Sequence, residues 1–254
     1  MKRRVIVTRP AREAQRSVAE LQAAGHLAVA LPLIAIEPVS DAGALQQVRA
    51  RMGDWSALMF VSAAAASHFF AASGDSDRAP RCWATGPGTV RALREAGVPE
   101  TRIDAPPASA AQLDSEALWD SVQAQVVPGA RVLIVRGGDV AGQPTGRDWL
   151  AREIEAVGGV VDTVVAYRRL PPVFDARQQR LAAEAARDGT LWLFSSAEAI
   201  GNLRRAMPDQ RWDQALAIAT HPRIAEAARA AGFGTVRLAA PGTAAMAASI
   251  ESFE

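Results

Sequence analysis

Arg4-Val5-Ile6-Val7-Thr8-Arg9 (RVIVTR) is answered by Arg131-Val132-Leu133-Ile134-Val135-Arg136 (RVLIVR). Both are short β-branched runs bounded by arginine, the pattern of a parallel strand buried on both faces. The echo continues on either side. Phe60-Val61-Ser62-Ala63 returns as Phe194-Ser195-Ser196-Ala197. The unit that opens at Trp83-Ala84-Thr85-Gly86-Pro87 closes at Ala96-Gly97-Val98. A similar unit opens at Ile218-Ala219-Thr220-His221-Pro222 and closes at Ala231-Gly232-Phe233. Equivalent elements lie about 130 residues apart, so the chain carries one set of βα units twice, with the copies interleaved.

Strands are expected at 5–8, 57–61, 81–84, 132–135, 191–194, 217–219 and 236–239, with a long extended segment over Leu27–Ile36 and further ones at 102–105 and 160–168. Helices are expected at 12–24 (capped by Gly25), 63–72, 88–96, 113–124, 147–157, 178–186, 197–207 and 223–231, and 243–251 closes the chain. Such alternation implies right-handed βαβ units and parallel sheets. About ten strands are too many for one doubly wound domain of 254 residues, so two five-stranded sheets are expected. Leu31–Pro38 and Val164–Pro172 are extended and rich in proline at their ends, and read as crossings between lobes. One lobe then holds residues 1–36 and 172–254, discontinuous, and the other 39–166. A simple division into N-terminal and C-terminal halves is the alternative. Residues 74–80 and 137–146 read as loops.

Composition narrows the function. Hydrophobic residues make up 49% of the chain, enough for packed cores. A net charge of +1 is too balanced for a protein that neutralises many phosphates, so no nucleic-acid partner is expected. The basic residues are arginine except for Lys2, and the planar guanidinium suits carboxylates. Cys82 is the lone cysteine, the start has no signal-peptide pattern, and no apolar run of membrane-spanning length occurs. A cytoplasmic monomer with no membrane partner is expected.

No Walker or dinucleotide glycine spacing is found in 137–146, the three histidines lack metal-ligand spacing, and Ser62 and Ser196 lack nucleophile-elbow glycines. No metal and no cofactor is expected. Polar residues gather instead where strands end and helices begin: Thr8-Arg9, Ser62, Thr85-Gly86 with Thr89, Arg136-Gly137, Ser195-Ser196 and Thr220. Ligands of parallel sheets bind at this edge, and helix N-termini there attract carboxylates. Each hydroxyl taken alone reads more readily as a helix cap with no ligand. Their recurrence in both copies favours a shared anion cleft, with Arg9 and Arg136 as matched anion contacts. Tyr167, the only tyrosine, lies in the second extended crossing.

These segments, with Ser115-Glu116-Ala117-Leu118 and Ala166-Tyr167-Arg168, resemble the uroporphyrinogen-III synthase family over essentially the whole chain. The resemblance implies two flavodoxin-like parallel-sheet lobes joined by a two-stranded extended linker, the first lobe discontinuous. It implies a small-molecule substrate, the linear tetrapyrrole hydroxymethylbilane with its eight carboxylates, and the product uroporphyrinogen III. Tyr167 is the candidate catalytic residue. Arg9, Ser62, Gly86, Thr89, Arg136, Gly137, Ser196 and Thr220 are candidate substrate contacts. One departure is that the Gly-x-x-Thr-Ala-like run of the second lobe copy reads Thr220-His221-Pro222-Arg223-Ile224-Ala225, which puts Arg223 in the threonine's place. The alternative function is a non-catalytic bilobed binding protein or sensor for a polyanionic metabolite.

Overall fold

The two arginine-bounded runs are strands β1 (Arg4–Val7) and β7 (Arg131–Gly138), each with neighbours on both sides in its own parallel sheet. The computed structural model describes residues 3–71, 76–107, 114–239 and 243–253. Lys2, Ala72, Gly74-Asp75 and Leu113, which close or open expected segments, lie outside them. Two compact units emerge, Met1–Ala35 with Leu170–Glu254 and Ile36–Arg169.

In unit 1, β1 is followed by α1 (Ala11–Ala23) and β2 (Leu27–Ala30). The chain returns with α7 (Ala176–Ala185), β9 (Leu191–Phe194), α8 (Ala197–Ala206), β10 (Leu216–Ala219), α9 (Pro222–Ala230), β11 (Thr235–Leu238) and α10 (Thr243–Glu251). The strands lie in the order β11-β10-β9-β1-β2. Unit 2 runs β3 (Ala35–Pro38), α2 (Gly43–Ala50), β4 (Ala57–Phe60), α3 (Ala63–Phe70), β5 (Arg81–Ala84), α4 (Pro87–Glu95), β6 (Ile103–Asp104), α5 (Ser115–Val122), β7, α6 (Trp149–Ala156) and β8 (Val160–Leu170). Its order is β3-β8-β7-β4-β5-β6.

Read from β2 and from β8, both sheets share the flavodoxin-like strand order 2-1-3-4-5. In unit 2 the first two strands of that order, β7 and β8, come last in the chain. Unit 2 is therefore a circular permutation of unit 1, and this is why the repeats interleave. Two expectations change. The unit 2 sheet has six strands, because β3 adds beside β8. The segment 27–36 is two strands, since Leu31, Leu33 and Ile34 are apolar because they are buried between strands and not because they are paired in one.

Burial follows the period of two. In unit 2, Leu58, Phe60, Leu133 and Val135 pack on Phe69 of α3 and Leu93 of α4. Ala57, Met59, Val132 and Ile134 pack on Leu118 and Trp119 of α5 and Leu150 and Ile154 of α6. Every residue of β4, and Val132–Val135 of β7, is thus packed on one face or the other, which makes register there costly to change. In unit 1, Trp192, Trp212 and Phe233 form an aromatic cluster, with Trp212 stacked on Phe233 at 5.3 Å. The repeated glycines end the repeated helices. Gly97 (φ +91) and Gly232 (φ +95) adopt the left-handed conformation that closes α4 and α9. At α4 the N–H groups of Val98 and Gly97 reach Leu93 O and Arg94 O, and at α9 those of Phe233 and Gly232 reach Ala228 O and Arg229 O, the paired bonds of a Schellman motif at each end.

The repeated arginines at the strand starts are also matched. Arg4 donates to Asp188 at 2.6 Å, and Arg131 to Asp162 at 2.6 Å. Partial burial opposes ionisation of both carboxyls. Bonds from Thr190 and Arg4 outweigh it at Asp188, and bonds from Trp55 and Arg131 outweigh it at Asp162, so both sit below the usual carboxylate range. A lowered folded-state pKa contributes stability that is present above the unfolded value of about 3.9 and is lost as pH falls through the folded one. Urea unfolding between about pH 6 and pH 3 should therefore show stability falling at the acid end. Asp162→Asn and Asp188→Asn should each flatten that fall.

Candidate active site

In unit 2 the carboxyl edge of the sheet gathers Ser62, Gly137 and Tyr167. β4 ends and Ser62 takes an extended conformation (φ −163, ψ 163) as the N-cap of α3, its Oγ accepting from the Ala65 N–H at 3.1 Å. The same oxygen lies 3.1 Å from the Tyr167 hydroxyl. Tyr167 is 2% exposed and packs in the α3–α4 core, its ring 5.7 Å from that of His68.

A register shift aims this tyrosine. Arg136 pairs with Val165 but Gly137 pairs with Tyr167, so β8 carries one extra residue, Ala166. A one-residue bulge exchanges the faces of a strand beyond it. Gly137 then lies flat on the phenol. A Cβ there would stand 2.6 Å from Tyr167 Cζ and 2.9 Å from its hydroxyl oxygen. Only a residue without a side chain fits. Gly137 is also fixed from behind, because the Thr145 N–H and Oγ1 both donate to its carbonyl at 3.1 Å.

The remaining unit 2 candidates fall into two kinds. Gly86 is the N-cap of α4 with no side-chain cap bond, and Thr89 is buried in the first turn behind Pro87. Thr85 Oγ1 donates to Val61 O at 3.3 Å, joining β5 to β4. Arg136, matched in sequence to Arg9, is 6% exposed, and its guanidinium donates to Asp148 Oδ1 at 2.8 Å and Arg147 O at 2.9 Å. That commitment makes it a clamp on the 139–148 loop in this structure. A cavity of about 330 Å³ opens at the opposite edge of the same sheet, between Ser56, Arg81, Trp83 and Gln125. Its one cation, Arg81, is already held by Asp104.

Unit 1 presents the repeated positions differently. Thr8 Oγ1 donates to Leu193 O at 2.7 Å, which closes the gap between β1 and β9. Arg9 follows it, half-buried. Burial lowers its pKa, with Glu13 and Glu20 pulling the other way. Among the described residues its guanidinium makes no hydrogen bond. Ser196 caps α8 by position only, with no side-chain bond to the helix. Thr220 donates its N–H to Phe194 O at 3.1 Å. His221, exposed, caps α9 by accepting the Arg223 N–H on Nδ1 at 3.2 Å. Because α4 and α9 both start at the proline, Pro87 corresponds to Pro222 and Thr89 to Ile224. Within the repeat, Ile224 thus stands where α4 has Thr89.

The Ser62–Tyr167 bond, the close approach of Gly137, the Thr145 tie and the His221 cap are not legible in single-residue patterns. The bulge that creates the first two falls in Val164-Val165-Ala166, which reads as an uninterrupted apolar strand.

The chain matches the family model described as uroporphyrinogen-III synthase HemD over residues 15–248. Among solved structures it is similar to uroporphyrinogen-III synthetase from Helicobacter pylori, at 13% identity and a TM-score of 0.60, covering 99% of this chain and 100% of that one. It is also similar to a mutant uroporphyrinogen III synthase from the extremely thermophilic bacterium Thermus thermophilus, at 18% identity and a TM-score of 0.55, covering 98% of each. At these identities the structures speak for the fold, two sheet units with parallel-dominated strands, while the family match extends over nearly all of the sequence. The chain belongs to the uroporphyrinogen-III synthase HemD family.

Proposed function

We propose that this chain cyclises hydroxymethylbilane to uroporphyrinogen III, with loss of water and inversion of ring D. The observation that carries the reading is the family match over residues 15–248, to which the carboxyl-edge chemistry is suited. The ring-A hydroxymethyl C–O bond breaks as the pyrrole nitrogen lone pair pushes out hydroxide, giving an azafulvene cation. Ring D attacks through its substituted α carbon, forming a spiro intermediate; the bond from that carbon to the ring C methylene then breaks, and the unsubstituted α carbon of ring D, on the other side of its nitrogen, bonds to the freed methylene carbon. Loss of the proton from this second α carbon restores the aromatic ring and balances the proton taken up by the leaving hydroxide.

Such a substrate closes on its own to the uninverted isomer, so the protein's task is chiefly positioning, which is worth several kcal/mol of barrier. The Tyr167 hydroxyl donates the hydrogen bond that assists hydroxide departure. Arg9, Ser196 and Thr220 in unit 1, and Gly86, Thr89 and Gly137 in unit 2, hold substrate carboxylates and ring groups through side chains and N–H groups. Fixed donors of this kind need no reorganisation when the cation forms. Arg136 serves by holding the loop behind Gly137. The reaction class is that of a hydro-lyase.

Expression of the chain in a bacterium lacking its own uroporphyrinogen-III synthase should restore haem-dependent growth, and no growth from a soluble, expressed chain would contradict the proposal. Arg9→Ala should raise KM about tenfold with kcat little changed, because one charge-assisted hydrogen bond contributes about 1.5 kcal/mol or more. Steady-state kinetics on freshly generated substrate check this.

A further inference from the structure

We propose that Ser62 is the positioning residue for Tyr167. It links the α3 N-terminus to the phenol in one hydrogen-bond chain that turns the phenolic proton toward substrate and makes it a better donor. The inference rests on the catalytic reading of Tyr167 above. Three observations carry it. The Ser62 hydroxyl is bound at both ends, accepting from the Ala65 N–H at 3.1 Å and lying 3.1 Å from the Tyr167 oxygen. Tyr167 is 2% exposed, and its hydroxyl lies next to half-buried Ser62 and under Gly137. The copy of this serine in the repeat, Ser196, makes no cap bond with α8, so the arrangement is not a general need of the fold.

The donor inventory sets the direction. A serine hydroxyl has one proton and two lone pairs, and a phenol likewise both donates and accepts. With one Ser62 lone pair taken by the Ala65 N–H, the serine proton goes to the Tyr167 oxygen when the phenol is to act as a donor. The phenolic O–H then points away from Ser62, free for the departing hydroxide. The chain runs Ala65 N–H to Ser62 O–H to Tyr167 O–H, and each bond in such a chain polarises the next. It begins at the N-terminus of an eight-residue helix, whose partial positive charge favours negative charge developing on the phenol oxygen. Ser62 therefore acts through Tyr167 and does not itself need to touch substrate.

The test is a double-mutant cycle of Ser62→Ala and Tyr167→Phe, read as kcat for type III product. Ser62→Ala should lower kcat about ten- to a hundredfold with KM little changed, part of the range for a general acid. In the Tyr167→Phe background the same change should cost less than about threefold, since nothing is left to orient. Ser62→Thr, which keeps the hydroxyl and the cap, should restore most of the activity, whereas a helix-capping role alone would also be met by Ser62→Asp, whose carboxylate accepts from the Ala65 N–H but has no proton to give the phenol. Because Tyr167 is the chain's only tyrosine, its Raman Fermi doublet reports this phenol alone. The doublet should change from that of a hydrogen-bond acceptor in Ser62→Ala and return in Ser62→Thr. Equal losses in both backgrounds, full rescue by Ser62→Asp, or an unchanged doublet would overturn the proposal. Should the wild-type chain form no type III product, the catalytic reading fails, and the doublet still decides the Ser62–Tyr167 bond on its own.

Discussion

Gly137→Ala is expected to reduce type III cyclisation on the order of a hundredfold or more while leaving a folded chain. The reason is geometric. The new methyl would stand 2.6 Å from Tyr167 Cζ, 2.8 Å from Cε2 and 2.9 Å from the hydroxyl. Gly137 cannot retreat, because Thr145 holds its carbonyl twice and its strand partner is Tyr167 itself. The ring must move, and with it the hydroxyl and its bond to Ser62. A displacement of about 1 Å at a reacting group costs on the order of 10²-fold. The overpacking itself costs about 1–3 kcal/mol of stability. Gly201→Ala is the control, since a Cβ there meets nothing within 4 Å. It sits inside α8, where alanine is the better helix former, and activity should be unchanged. Kinetics and thermal unfolding of both variants separate the two effects. Wild-type kcat in a folded Gly137→Ala chain would remove Tyr167 positioning from the account.

Tyr167→Phe is expected to cost about 10²–10⁴-fold in kcat, with KM close to wild type. Phenylalanine keeps the buried ring against the α3–α4 core, and Ser62 keeps its bond to Ala65 N, so unfolding should move little. What is lost is one O–H at one place. A loss confined to KM would make the phenol a binding group, and undiminished activity would leave it a core aromatic.

The fold was legible largely because the chain states it twice. RVIVTR and RVLIVR locate the first strand of each 2-1-3-4-5 sheet, and Gly97 and Gly232 mark matching helix ends. What escaped did so for physical reasons. Helix α2 buries only Leu45, so GALQQVRA has almost no apolar stripe to read. The run Leu31–Ile34 is apolar without being strand, because burial and pairing ask for the same residues. At the site, residue types at strand ends were legible, and their partners were not. Arg9 and Arg136 are the same residue in the same repeat position, yet one makes no hydrogen bond among the described residues and the other is held by Asp148, twelve residues on. Ser62 and Ser196 diverge in the same way, one tied to a tyrosine and the other to nothing in its helix. Local pattern places a side chain at an edge; the register shift in β8 decides which neighbour it meets.

The most direct measurement is an isomer assay. Freshly generated hydroxymethylbilane is supplied with increasing amounts of the chain, the products are oxidised, and type I and type III uroporphyrins are separated by chromatography. The account predicts type III product in proportion to the chain added, at the expense of type I. Type I alone, at the rate seen without protein, would contradict it and leave a protein that binds a polyanion without cyclising it.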